Sequence, residues 1–249
     1  MERKNNSRIR LAAIADLHCT KKSADDIHAI LSAMASSADI LVFAGDLCDT
    51  GLPDEAHILA RETASLKVPV VAVLGNHDFE SGKATEIEAI LMDAGVNVLD
   101  GKSCEINGIG FAGAKGFAGG FGDKALQPWG EPVIKAFVRE AVEEALKLES
   151  ALAGLRTKKR IAVLHYAPII ETVVGEPEEI MPFLGSSRLE EPLNRYPVAA
   201  VFHGHAHRGT SQGLTKGKVP VYNVAKPLLQ YGPTGVPFKI LEIDGAKND

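Results

Sequence analysis

Apolar residues in this chain come in short runs, and the segments between the runs carry helical spacing. Ile9–Ala15 is one such run and predicts a buried strand. Ser23 stands where it can cap a helix in which Ile27, Ile30, Leu31 and Met34 recur at i, i+3, i+4 and i+7. Asp39–Ala44 predicts a second buried strand, and a helix opens near Pro53. Val68–Leu74 predicts a third strand and Thr85–Ala94 a third helix. Strands alternating with helices are the pattern of a mainly parallel sheet covered by helices.

From Gly101 to Gly130 the pattern changes. Short strands are expected at Ser103–Ile106 and Ile109–Ala112, followed by a glycine-rich loop over 114–130 that carries Trp129. A helix starts near Pro132 and buries Ile134, Phe137, Val138, Ala141, Ala145, Leu148 and Leu152. Ile161–Leu164 and Val198–Phe202 predict further buried strands. Val219–Val224 and Phe238–Ile243 are expected as antiparallel strands closing a second sheet. There is no internal repeat and no linker rich in proline, serine or charge, so residues 1–249 read as one domain. Within it 1–7 are expected to be flexible and 114–130 to form a mobile loop.

Composition narrows the function. An apolar share of 45% and a charged share of 24% are those of a globular protein. No uncharged apolar stretch approaches the roughly 20 residues a bilayer core requires, so no membrane span is expected. A formal charge of −5 argues against nucleic acid as a partner held by general electrostatics. The apolar run Leu11–Ala15 stops at Asp16, too short for an export signal, and the three cysteines show no disulfide spacing. A cytoplasmic location is expected.

The chemistry collects at strand ends. The first strand ends in Asp16-Leu17-His18, the second in Gly45-Asp46-Leu47-Cys48-Asp49 and the third in Gly75-Asn76-His77-Asp78. Ile161–Leu164 ends in His165, and Val198–Phe202 ends in His203-Gly204-His205-Ala206-His207. Six of the eight histidines fall in these segments, which scattered surface histidines would not do. In open α/β sheets the carboxyl ends of the strands form one rim where ligands bind. Imidazole and carboxylate donors without cysteine suit Mn²⁺, Fe²⁺ or Zn²⁺. Seven candidate ligands exceed one tetrahedral ion and fit two, with Asp46 the natural bridge.

The ordered blocks D-x-H, G-D-x-x-D, G-N-H-D/E, a lone His after a strand, and G-H-x-H span residues 16 to 207. In this the sequence resembles the calcineurin-like metallophosphoesterase superfamily. The resemblance implies an α/β fold of two mixed β-sheets packed as a sandwich and flanked by helices, four layers in all. It implies one divalent ion held by Asp16, His18 and His207, a second held by Asn76, His165 and His205, and Asp46 between them. His77 would be catalytic, giving a proton to the leaving oxygen or stabilising its charge, with Asp49 orienting the ring. The expected reaction is hydrolysis of a small phosphodiester by a metal-bridging hydroxide. Two divalent ions leave such a centre net positive toward a phosphate, and bridging water loses its proton near neutral pH. A phosphomonoesterase is the alternative, and a silent metal-binding scaffold a further one. Family protein phosphatases carry arginine after G-D-x-x-D, where this chain has Thr50, so a phosphoprotein substrate is disfavoured.

Some neighbours read more plainly. His203 is expected as a hydrogen-bonded core residue, Arg208 as a solvated turn residue, and His28 and His57 as surface residues. Asp49 can also be read as a turn residue before a helix. Cys19 and Cys48 are expected as small buried apolar groups. The aromatics of the glycine-rich loop, Phe117, Phe121 and Trp129, fit either a lid over the site or anchors tucking a surface loop down.

Overall fold

The computed structural model of the protein describes residues 8–244, so the segment 1–7 lies outside the described residues. The first half alternates strand and helix: β1 (Arg8–Ile14), α1 (Ala24–Ser37), β2 (Ile40–Ala44), α2 (Pro53–Ala64), β3 (Val70–Val73), α3 (Ala84–Asp93) and β4 (Val96–Val98). These four strands run parallel in the order β1-β2-β3-β4. Alternate side chains go opposite ways. Leu11, Ala13, Val42 and Val71 face inward, while Ala12, Ile14, Leu41 and Phe43 pack on the helices outside. Burial on both faces explains runs with no polar position inside them.

The second half supplies β5 (Lys102–Ile106), β6 (Ile109–Gly113), α4 (Pro132–Gly154), β7 (Lys159–Val163), α5 (Glu190–Arg195), β8 (Ala200–His203), β9 (Gln212–Leu214), β10 (Pro220–Asn223), α6 (Lys226–Gln230) and β11 (Lys239–Asp244). The second sheet has the order β5-β6-β7-β8-β10-β9. Its inner face sets Phe111, Ile161, Val163 and Phe202 against the inner residues of the first sheet. Its outer face is covered by α4 and α5 through Leu148, Leu152 and Leu193. The layers are therefore helix, sheet, sheet, helix, with both sheets mixed.

The tail differs from the sequence expectation. β10 pairs parallel with β8 and antiparallel only with β9, whereas β11 leaves the second sheet and pairs antiparallel with β1 at the edge of the first. Strand periodicity reports which faces are buried, not which edge a strand joins. Ser23 stands at the N-cap of α1, but its hydroxyl turns back to the main chain of Thr20 and makes no cap bond. The short elements β4, β9, α5 and α6 carry too few residues to show a period. Among the described residues no helix is long and apolar enough to cross a membrane.

Candidate metal centre

The turns that leave β1, β2, β3, β7 and β8 meet at one edge of the sandwich, and the backbones of those after β1, β2 and β8 are under strain. Six non-glycine residues among those described have positive φ, and four of them are Asp16 (58°), His18 (45°), Asp46 (50°) and His205 (70°). Such conformations cost on the order of 1–3 kcal/mol each and persist where surrounding structure enforces them, commonly at functional sites. Glycine makes the close approaches. Gly45 has φ +88°, and a Cβ there would overlap the His165 ring. A Cβ at Gly75 would overlap the Asp46 carboxylate.

Two clusters result. In the first, His207 Nε2 lies 3.0 Å from Asp16 Oδ1, and the rings of His18 and His207 stand 5.8 Å apart. In the second, His165 Nε2 lies 2.9 Å from Asn76 Oδ1 and 3.3 Å from Asp46 Oδ1, with the His205 ring 4.8 Å from that of His165. Asp46 faces both, because its Oδ2 lies 3.9 Å from His18 Nε2. In each of the triads Asp16, His18, His207 and Asp46, His165, His205, the donor atoms fall within 4.8 Å of one another. A third triad joins His18, Asp49 and His77.

This donor set fits divalent cations. His165 Nδ1 donates to the Ala44 carbonyl at 3.0 Å, which turns Nε2 toward two oxygens that can only accept. Three lone pairs converging on one point are repulsive unless a cation or a proton sits among them. His18 Nδ1 is buried and makes no hydrogen bond, its ion-pair contact being Asp49 Oδ1 at 3.4 Å.

The electrostatics follow from burial set against charge. Burial disfavours the His165 imidazolium, yet Asp46 beside it, helped by Asp16 and the Ala44 carbonyl, raises its pKa to about 9. The same partnership, opposing burial, holds Asp46 below the ordinary carboxylate range. Burial, reinforced by His165, pushes His205 down to about 3. The hydrogen bond to Asp16 raises His207, and burial lowers His18.

His77 follows Asn76 in a short 3-10 turn (His77–Phe79), and its ring meets the His18 ring edge-on at 4.6 Å. Its Nδ1 lies 2.6 Å from the main-chain oxygen of Asp49 and 3.6 Å from Glu80 Oε2. The Asp49 carboxylate instead faces His18 Nδ1 at 3.4 Å. Asp49 therefore touches His77 through its backbone and His18 through its side chain.

Around the clusters, His203 is buried between the Thr172 hydroxyl at 2.8 Å and the Gly204 carbonyl, and burial pushes its pKa to about 4. Arg208 is exposed, its main-chain N–H held by Glu176. His28 is exposed and pairs with Glu62. Cys19 and Cys48 are buried and face each other across a single β-bridge. In the glycine-rich loop Phe117 packs on Phe137 and Tyr166, and Phe121 packs beside Ala167, Val173 and Leu184, so these two anchor the loop. Trp129 is 67% exposed.

Two participants escape the sequence reading. Asp78 is wholly buried and accepts N–H bonds from Leu47 (3.1 Å), Cys48 (2.7 Å) and Gly75 (2.7 Å), tying the turn after β2 to the turn after β3. Burial pushes its pKa up to about 6 against those three donors. Its place directly after His77 at a strand end was the available signal. Lys115, beyond the end of β6, sets its ammonium over the rings of Phe79, Phe117 and Tyr166 at 5.0–5.5 Å. It stands at a sixth strand end, where the same rim rule applies.

The sequence profile of the calcineurin-like phosphoesterases matches residues 9–209, which include every strand-end donor described above. The chain belongs to the calcineurin-like phosphoesterase family. No curated protein matches it significantly. One solved crystal structure is similar with a TM-score of 0.62 at 15% identity, covering 96% of this chain and 100% of its own. Another, the protein TT1561 of Thermus thermophilus, gives 0.50 at 13% identity, covering 89% of this chain and 91% of its own. At these identities the likeness is one of fold: two mixed sheets between helices. As a calcineurin-like phosphoesterase the chain falls in a class of phosphoric ester hydrolases, and its two imidazole–carboxylate clusters lie inside the matched segment.

Proposed function

We propose that this phosphoesterase uses two divalent ions to hydrolyse a small phosphodiester. Asp16, His18 and His207 would hold one ion, Asn76, His165 and His205 the other, with Asp46 shared. The observation that carries the reading is Asp46 itself, whose two oxygens turn to the two clusters, 3.3 Å from His165 Nε2 and 3.9 Å from His18 Nε2. Bound ions supply Lewis acidity toward phosphate oxygens and a water acidic enough to attack near neutral pH.

The protein's own groups do the rest. The main-chain N–H of His77 donates to Asp46 Oδ1 at 2.9 Å, which fixes the imidazole relative to the centre. With Nδ1 held by the Asp49 carbonyl, Nε2 is the nitrogen that delivers a proton to the leaving alkoxide. Thr50, where phosphoprotein phosphatases of the family have arginine, supports a diester, since a diester offers one fewer charge to clamp. Mn²⁺ is the ion of first choice for assay, with Fe²⁺ and Zn²⁺ as alternatives. The acidic net charge supports a small phosphorylated substrate rather than nucleic acid, and the absence of disulfide spacing supports the cytoplasm.

The test is turnover of bis-p-nitrophenyl phosphate against p-nitrophenyl phosphate with Mn²⁺ added. Preference for the diester supports the reading. Preference for the monoester replaces it with a phosphomonoesterase, and after silence on both the metal content of the same sample separates a narrow-specificity enzyme from a metal-binding scaffold.

A further inference from the structure

Between the glycine-rich loop and the start of α4 lies a groove of about 400 Å³ whose walls are almost entirely apolar. Leu126 of the glycine-rich loop, Ile134 and Phe137 of the first turns of α4, and Pro182 and Phe183 of the segment after β7 line it, with Lys124 contributing the one charged side chain. Its size is within the range of small-molecule sites. A chain of aromatic contacts joins its wall to the metal centre: Phe137 to Phe117 at 4.9 Å, Phe117 to Tyr166 at 5.9 Å, and Tyr166 to His205 at 4.5 Å.

The lining says what fits. Its main-chain groups are already spent, since Gly119 N–H bonds Pro182 O, Leu126 N–H bonds Gly119 O, and Leu126 O accepts from Arg188. Lys124 is the one charged group of its lining. The groove offers hydrocarbon contact. The apolar character continues outward, where Phe183 is 58% exposed and Val133 71% exposed. Such an exposed set is costly unless it meets apolar matter in use.

We infer that this groove binds a hydrocarbon group of the substrate, an alkyl, acyl or isoprenoid-like chain esterified to the phosphate at the metal centre. The inference rests on the phosphoesterase reading and narrows its substrate class to amphipathic phosphate esters. A chain in the groove leaves water and lies on Phe137, Ile134 and Phe183, while its phosphate reaches the edge where His205 and His165 converge.

The experiment compares methylphosphonate with octylphosphonate, below its micelle concentration, by calorimetry on the Mn²⁺-loaded protein. Trp129, the sole tryptophan and set between Leu126 and Ile134 in sequence, gives a second readout through its emission. Octylphosphonate is expected to bind at least about tenfold tighter, the return from burying roughly two methylenes, and to shift Trp129 emission to the blue. Ile134→Glu and Phe183→Ser should each bring the octyl-to-methyl ratio close to one, and a ratio cancels any loss common to both ligands. Equal binding of the two phosphonates by the wild type, or an unchanged ratio in both variants, overturns the inference. Hydrolysis of p-nitrophenyl esters in that case leaves the phosphoesterase reading standing, whereas a protein that hydrolyses neither ester and holds fewer than two Mn²⁺ ions removes that reading by itself.

Discussion

His77 Nδ1 lies 2.6 Å from the main-chain oxygen of Asp49, so Asp49 meets the imidazole through its backbone rather than its carboxylate. The carboxylate of the same residue faces His18 Nδ1 at 3.4 Å. The two roles can be separated by substitution. Asp49→Asn keeps the carbonyl and is expected to leave the pH dependence of turnover nearly unchanged. Metal affinity should fall by about 10-fold or more, the usual loss when a ligating imidazole loses its carboxylate partner. Metal titration and a pH–rate profile read the two effects. A large loss of turnover with full metal affinity would contradict the assignment.

His77→Ala removes the proton donor without touching a ligand. Turnover is expected to drop by roughly 10²–10⁴ with metal content intact, and the loss should be smaller for esters whose leaving group is a good one, such as p-nitrophenolate. A series of aryl leaving groups checks this through the slope of rate against leaving-group pKa.

Asp78 acts on stability and through it on the site. Its carboxylate accepts three buried N–H groups, from Leu47, Cys48 and Gly75. Asp78→Ala leaves those donors unsatisfied, at about 1–3 kcal/mol for each buried group. Urea denaturation should show a loss of several kcal/mol, and Asp78→Asn a partial rescue, since one amide oxygen can still accept.

The thiols are expected to be inert in the folded protein. Burial pushes Cys19 up to about 11 and Cys48 higher still, where Asp78 adds to the effect. The thiolate is the reactive form, so at pH 8 less than about one part in a hundred of Cys19 is reactive, rising tenfold per pH unit toward 11. A disulfide exchange reagent should therefore titrate Cys19 and Cys48 only after denaturation. Fast native reaction at Cys19 or Cys48 at pH 8 would contradict the packing.

Much of this was legible in the sequence because the fold concentrates its chemistry at strand ends. Asp16, Asp46, Asn76 and His165 each end an apolar run, and a run buried on both faces is easily seen. The edge that Lys239–Asp244 joins was not legible, because its alternation suits either sheet equally. Nor were Asp49's divided contacts, since spacing cannot tell a carbonyl from a carboxylate two bonds away. Asp78 was hidden by its neighbour: a buried carboxylate bonded only to backbone leaves no pattern of side-chain partners. The groove at Phe183 joins residues about fifty positions apart, a proximity that only the packed structure supplies.

The shared position of Asp46 is the centre of the account, and metal stoichiometry tests it most directly. Protein equilibrated with Mn²⁺ and freed of unbound metal should hold about two ions per chain, and Asp46→Asn should hold fewer than one while remaining folded. A wild type that binds a single ion, or an Asp46→Asn variant that keeps both, would contradict a centre built on that carboxylate.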